Sequence, residues 1–482
     1  MTPQPSGQNE PPSHHGGLEN LDTEHSYWLD AQEGAVPDDL QGTFFRNGPG
    51  RQRIGGKKYG HWFDGDGMLC AFTFHNAKAH FKNAYVRTPK YLAETKAQDI
   101  KYRGFGTKVP GGFLKNMGQM PANPANTNTI YHGDKLFALN EGGRPWEVDP
   151  QDLSTLGEYD YEGNLAKGQA FSAHGRVHPW TGEYINFGAG VSGMGLKGPK
   201  PCLNLYRINT EGKMIKKGQV PIEHFPFCHD FVITEHYAVF FIGSIVFNGM
   251  GGVMFGTKTI SDVVKYDERI EMKVLVIDLD TLEIVRTFAT GDGAIVHFGN
   301  AYERGDEIFI DACYQDGFEA NATLENVFAP EGRFNGGQYN RYVLNMQTGV
   351  ISWQKLSDVE CEFPTFNTRY VGKPNSVTYM ACSVDNGYNG FFNGIQRVDE
   401  NGESSHLTLP PGYYGSEPLF APAKNATRED DGYILEVVYD GFAHKSALHI
   451  LRADNINDQV ARLPLDHHLP HQFHGFFTST VF

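Results

Sequence analysis

Apolar and polar positions alternate along most of this chain, and glycine, asparagine and aspartate interrupt the alternation at short intervals. The runs "LNLYRINTEGKMIKKGQV" (203–220), "VLVIDLDTLEIVRTF" (274–288), "RYVLNMQTGVISWQKL" (341–356) and "GIQRVDENGESSHLTL" (394–409) each set a polar turn between two alternating segments. That is the pattern of a β-hairpin, in which side chains point to opposite faces with period two. The turns fall near Glu211, Asp280, Gln347 and Asn401. They recur at roughly 50 to 70 residues, a propeller-like period once insertions are allowed. Long amphipathic helices are scarce, which excludes an open α/β sheet with a helix between successive strands. The expected fold class is all-β.

A second repeat carries chemistry. "AHGRVHPWTGEYINFG" begins at Ala173, "HDFVITEHYAVFF" at His229 and "HFGNAYERGDEIFIDACY" at His297. Each reads as a histidine opening a strand, then a polar turn, then an apolar return strand. "HGFFTSTVF" begins the same way at His474, and the sequence ends there. In a propeller the innermost strand of each blade lines the axis, so His174, His229, His297 and His474 are expected to converge. The last segment reads as a strand that completes a blade begun near the N-terminus. Imidazole nitrogens suit Fe(II), Zn or Cu, so residue type alone leaves the metal open. So does a competing local cluster, because His467, His468 and His471 lie just ahead of His474.

Metal-bound histidine normally donates its other ring N–H to a carboxylate or carbonyl. Glu141, Glu362 and Glu417 stand among apolar residues with a proline one to four positions on. Buried there without a partner they would be costly; the plainer reading is exposure at strand ends.

Composition narrows the class. The chain has 482 residues, with 34 Phe and 23 Tyr to fill an aromatic core, and its 56 Gly and 26 Pro are scattered as punctuation. A net charge of −16 without basic runs argues against nucleic acid and against electrostatic binding to anionic lipid. Six cysteines with no CxxC pair fit a reduced compartment. Residues 1–25 ("MTPQPSGQNEPPSHHGG…") lack a signal-peptide pattern and are expected to be a flexible tail, with 26–482 a single domain. The longest apolar run, Tyr237 to Phe247, is well short of the ~18 residues of a membrane span. The expectation is a cytoplasmic protein with at most peripheral membrane contact.

The motifs "GTFFRNGPGR", "HWFDGDGM", "ANTNTIYHGDKLFALNEGG", "FSAHGRVHPWTGE", "FCHDFVIT", "VHFGNAYE", "CEFPTFNTRYVG" and "FHGFF" together resemble the carotenoid cleavage oxygenase family, from about Trp28 to Phe482. The resemblance implies a seven-bladed β-propeller with Fe(II) on the central axis, capped by loops and short helices that form a nonpolar tunnel. It places the iron on His174, His229, His297 and His474, and the outer carboxylates on Glu141, Glu362 and Glu417. Thr127, in "ANTNT", matches a threonine that crowds an open coordination position. The implied reaction joins O2 and a lipophilic apocarotenal, with cleavage of the central 15,15′ double bond to two carbonyl products, one of them retinal. Full-length carotenoids or stilbenes are the alternative substrates, and a noncatalytic binding propeller is the alternative of another class. "HWFDGDGM", "YRGFGTKVPGGFLKNMG" and "LFALNEGG" point to the bacterial apocarotenoid branch. The stilbene-cleaving branch carries a lysine before the first glutamate, where this chain has Asn140. His467, His468 and His471 have no place in the family pattern and read as a solvated approach loop; His178 and His236 read as surface. The apolar segment Phe241 to Gly256 reads either as core or, by resemblance, as part of a hydrophobic membrane-facing rim.

Overall fold

The computed structural model describes residues 11–195, 198–225, 227–317, 327–328, 336–384 and 391–482. Seven antiparallel sheets are arranged as the blades of a propeller. Blade 2 is built from 128–132, 135–139, 146–148 and 155–158, and blade 3 from 176–177, 184–195, 198–208 and 214–221. Blade 4 uses 232–233, 237–242, 273–278 and 284–289; blade 5 uses 294–304, 307–315, 338–345 and 351–355. Blade 6 uses 360–365, 377–383, 394–399 and 404–408. The four hairpins read from the sequence are the two outer strands of blades 3, 4, 5 and 6 in turn.

Period two explains how the blades pack. In the strand Tyr237–Ile242, Ala238 and Phe240 pack towards blade 3 with Phe187, Leu205 and Phe231. The intervening Val239 and Phe241 pack towards blade 5 with Ile308, Ile310 and Tyr342. Both faces are buried, so this strand reads as an unbroken apolar run where the solvent-edged outer strands alternate.

The ring closes through both ends of the chain. Blade 1 takes 26–29, 42–51, 66–75 and 78–85 from the N-terminal part and Gly475–Thr478 as its inner strand, with Phe44 opposite Phe477. Blade 7 takes 413–414, 419–422, 432–440, 445–452 and 459–464, and its outermost strand is Glu33–Gly34. The terminal segment therefore completes an N-terminal blade, as the sequence suggested. The two ends of the chain are thus tied into the ring by ladder hydrogen bonds, and the edges that remain are the short inner and outer ones of a propeller.

The histidine-rich approach to the last strand is not solvated. His468 and His471 are buried, and His178 is too, with Nε2 2.9 Å from the Glu235 carbonyl. His236 is exposed and pairs with Glu303. His471 Nε2 donates to the His14 carbonyl at 3.1 Å, His468 Nε2 to that of Glu19 at 3.3 Å, and the His467 ring stacks on His25. Against the expectation of a flexible tail through residue 25, His14–Leu18 form a buried 3-10 turn, because these imidazoles give its main chain partners. Among the described residues no helix is long and apolar enough to cross a membrane. Among the described residues the helices Pro89–Ala97 and Met250–Met254, and the single 3-10 turns after His14–Leu18, lie in inter-strand loops.

Burial depresses the His471 imidazole to about 3 and that of His468 to about 4. Both are neutral when folded and protonate near 6.5 when unfolded. At these two sites the unfolded chain therefore binds more protons between about pH 6.5 and 4, and their contribution to stability falls as pH falls through that window, by about 1.4 kcal/mol per pH unit per histidine. Chemical denaturation of wild type and His471→Gln at several pH values should show a shallower slope for the variant; equal slopes would contradict this account.

Candidate metal centre

Each of the four histidines sits where an inner strand begins or breaks. His174 and His229 precede Arg176–Val177 and Val232–Ile233, and His474 directly precedes Gly475–Thr478. His297 does not open its strand; it lies inside Ala294–Arg304, where the register shifts between Ile295 and Phe298. A bulge of this kind re-aims a side chain out of the alternation. The main chain around each is pinned. His174 N donates to Ser172 Oγ, Asn128 Nδ2 to the Ala173 carbonyl, and His474 N to the Thr127 carbonyl. Buried Arg46 holds the carbonyls of Glu417 and Phe473 from one guanidinium, at 2.9 Å each.

The four rings converge. Nε2 of His174 lies 3.0 Å from that of His229, which is 3.1 Å from that of His297, which is 3.2 Å from that of His474. One nitrogen from each residue lies within 4.8 Å of every other, a set that could hold a metal ion. Two nitrogens about 2.1 Å from one ion and at right angles would be about 3.0 Å apart, so the observed edges fit metal–imidazole bonds.

The opposite ring edges complete the argument. His297 Nδ1 donates to Glu362 Oε2 at 2.6 Å and His474 Nδ1 to Glu417 Oε1 at 2.8 Å. Glu141 Oε1 lies 2.8 Å from His229 Nδ1, a close contact that falls short of an aligned hydrogen bond. A neutral imidazole has one N–H. Committing it at Nδ1 leaves Nε2 as a lone pair, so lone pairs face one another at about van der Waals distance and call for a shared cation. Burial, and then the neighbouring histidines, holds His174 and His474 well below the ordinary imidazole range, which keeps them neutral donors. Burial pushes Glu417 up to about 7.

The glutamates are held as well. Glu362 also accepts from Gln315 Nε2 and from the Phe363 N–H, and Glu417 Oε2 accepts from Gly475 N. Phe363, at φ +55, is a non-glycine residue in the left-handed region, a strain of order 1–3 kcal/mol. Its ring lies 5.0 Å from that of His297 and 5.1 Å from that of His474. Strain therefore coincides with an apolar wall beside the nitrogens. Thr127 is buried, and its Oγ1 donates to Asn126 Oδ1 and accepts from Asn140 Nδ2 at 3.0 Å.

The sequence model of the retinal pigment epithelial membrane protein family matches residues 18–479. The chain belongs to the carotenoid cleavage oxygenase family. It is 34% identical to apocarotenoid-15,15′-oxygenase of Synechocystis over 96% of both chains. It is 29% identical to carotenoid 9,10(9′,10′)-cleavage dioxygenase 1 of Pisum sativum, over 93% of this chain and 86% of that protein. Its fold superposes on cobalt-substituted Synechocystis apocarotenoid oxygenase with a TM-score of 0.88 and 33% identity, covering 96% of this chain and 98% of that one. Family membership supplies the chemistry that the four-histidine set can host, a metal-dependent dioxygenation.

Sequence reasoning missed one feature of the site and one of the surface. Arg176 and Asp230 adjoin its histidines within quoted motifs, yet nothing in their spacing reveals that they meet. The loop around Phe113–Lys115 was quoted only for its likeness, and its exposed apolar side chains needed the structure to stand out.

Replacing His474 by alanine should abolish stoichiometric metal binding, measured by elemental analysis of the purified chain. Replacing His467, His468 and His471 together should leave metal content at the wild-type level while lowering the melting temperature, since the His14 and Glu19 carbonyls lose their donors. Metal loss in that triple variant would move the site to the local cluster. Glu362→Gln keeps the size but not the charge, and should weaken metal affinity by about 10–100-fold.

Proposed function

We propose that this chain is a non-haem Fe(II) dioxygenase that cleaves a conjugated double bond of an apocarotenal, at the 15,15′ position, giving two carbonyl products including retinal. The observation that carries this reading is the set of four Nε2 atoms backed by three carboxylates, in a chain 34% identical to apocarotenoid-15,15′-oxygenase. His174, His229, His297 and His474 would hold the iron, and Glu141, Glu362 and Glu417 would orient the rings and offset part of the ionic charge. When bound, iron supplies the activation of O2 that lets both oxygen atoms end up on the two alkene carbons. No protein nucleophile is required. The protein's own task is to place one double bond beside the histidines and to keep water away.

Apolar residues support that task. Phe363, 5.1 Å from the His474 ring, packs on Phe392 at 5.7 Å, and Phe473, next to His474 in the chain, packs on Phe63 at 5.5 Å, which packs on Phe105 at 5.6 Å. With its hydroxyl committed to Asn126 and Asn140, Thr127 has its methyl group left to crowd a neighbouring ligand. An apolar polyene gains roughly 25 cal/mol per Å² buried and needs no charged partner.

A membrane-facing rim fits the same reading. Phe113, Leu114, Met117, Met254 and Phe255 are exposed together on two loops joined by a hydrogen bond from Gly118 N to the Met254 carbonyl. Buried Arg103 ties both loops, donating to the carbonyls of Asn116, Gln119, Val253 and Lys258. Of the apolar segment Phe241 to Gly256 read from the sequence, Phe241, Ile245 and Val253 are buried core, and Met254 and Phe255 near its far end join this rim. Flotation with neutral phosphatidylcholine vesicles checks it: binding should be lost in a Leu114→Glu, Phe255→Glu double variant, and equal flotation would remove the rim from the account.

Incubation of the iron-loaded protein with apocarotenals, carotenoids and stilbenes, with identification of products, tests the reaction. The amide of Asn140 is already engaged by Thr127, Asn126 and Gly142, so it offers no cation to a phenolate. A buried unpaired phenol costs about 1–3 kcal/mol. Apocarotenal turnover should therefore exceed that of 4-hydroxystilbene at least about tenfold, ~1.4 kcal/mol in barrier, and Asn140→Lys should narrow the gap. Preference for the stilbene would overturn the substrate and leave the metal site standing.

A further inference from the structure

Three histidines have a glutamate at Nδ1, and His174 has none. Its nearest carboxylate is Asp230, with Oδ1 3.8 Å from His174 Nδ1, too long for a hydrogen bond but within charge range. Asp230 is buried and heavily engaged. Arg176 Nη2 donates to Oδ1 at 2.9 Å and Oδ2 at 2.8 Å, Phe231 N donates to Oδ1 at 2.8 Å, and Phe298 N donates to Oδ2 at 3.0 Å. Arg176 further donates from Nε to the Phe231 carbonyl at 3.0 Å.

The positions of these atoms in the chain are what matter. Arg176 is two residues after His174, Asp230 is one after His229, and Phe298 is one after His297. The ion pair and its main-chain hydrogen bonds thus join the segments of blades 3, 4 and 5 that carry three of the four converging histidines. We infer that the Arg176–Asp230 pair is a positioning device for the metal centre, setting the spacing of three histidine segments and supplying His174 with the acidic neighbour that no glutamate gives it. This rests on the metal reading above.

The chemistry of the pair favours this role over a simple clasp between blades. Both carboxylate oxygens accept a main-chain N–H, one from the residue after Asp230 and one from the residue after His297. An asparagine has one oxygen and one NH2 group, so one of those N–H groups would face a donor and lose its partner. The disturbance would fall next to a metal ligand.

The molecule contains its own control. Arg341 and Asp311 form another buried pair, at 2.7 and 2.8 Å, across two strands within blade 5 and touching none of the four histidines. The test uses the full chain, prepared free of metal and then titrated with Co(II), whose d–d absorption reports ligand geometry. Melting of the metal-free chain is measured alongside. Asp230→Asn and Arg176→Gln should raise the cobalt dissociation constant by about 10–100-fold and shift the d–d bands. Asp311→Asn should lower the melting temperature with the cobalt constant and spectrum unchanged. If Asp230→Asn cannot be purified folded, Arg176→Gln decides by the same two readouts. The inference is overturned if the Arg176 and Asp230 variants melt lower yet bind cobalt with wild-type affinity and spectrum. A wild-type chain that binds no cobalt, or one whose binding survives His474→Ala, overturns the metal reading itself and this inference with it.

Discussion

Imidazole nitrogens that carry lone pairs repel when brought to 3.0–3.2 Å, and this chain holds four of them there. A shared cation would make of the arrangement a set of four nitrogen donors. The rest of the molecule can be understood as the means of enforcing that convergence. Glutamates take up the only proton on the His297 and His474 rings, and a third lies 2.8 Å from His229 Nδ1, so lone pairs are turned inward. Arg46 braces the segments around Glu417 and His474, and Arg176 with Asp230 braces the opposite side.

A propeller suits this requirement because each inner strand points a residue at the same axis from a different direction. Histidines far apart in sequence meet with little demand on any one loop. The closure of the ring matters for the same reason. His474 stands one residue before the strand that pairs with Gly42–Arg51, so the ladder that joins the two ends of the chain also positions the fourth nitrogen. The buried histidines before it fasten the N-terminal segment over that junction and link its integrity to pH.

Around this polar centre the surroundings turn apolar. Phe363 is held in a strained backbone conformation against two of the rings, and further phenylalanines continue outward from it. Asn126, Thr127 and Asn140 form the polar exception, and they satisfy one another. A polyene fits such surroundings because it asks for contact area and shape and brings few polar atoms to be paired.

Much of this was legible before any coordinates. Alternation of apolar and polar residues set the hairpins, because period two is a local property of a strand, and all four were found at equivalent places in blades 3 to 6. The repeated histidine-plus-strand unit singled out His174, His229, His297 and His474, and the number of blades came from resemblance to a family. Local spacing misjudged His468, His471 and His178, since nothing in "HHLPHQF" tells which residues a distant N-terminal turn will cover. It placed His297 at a strand start, when only the pairing of Ala294–Arg304 with its neighbour creates the bulge that turns its ring inward. It passed over Arg176 and Asp230, which are ordinary charged residues in sequence. Their role comes from meeting across three blades, and contacts between segments far apart in the chain are decided by how the blades pack, which is a tertiary property.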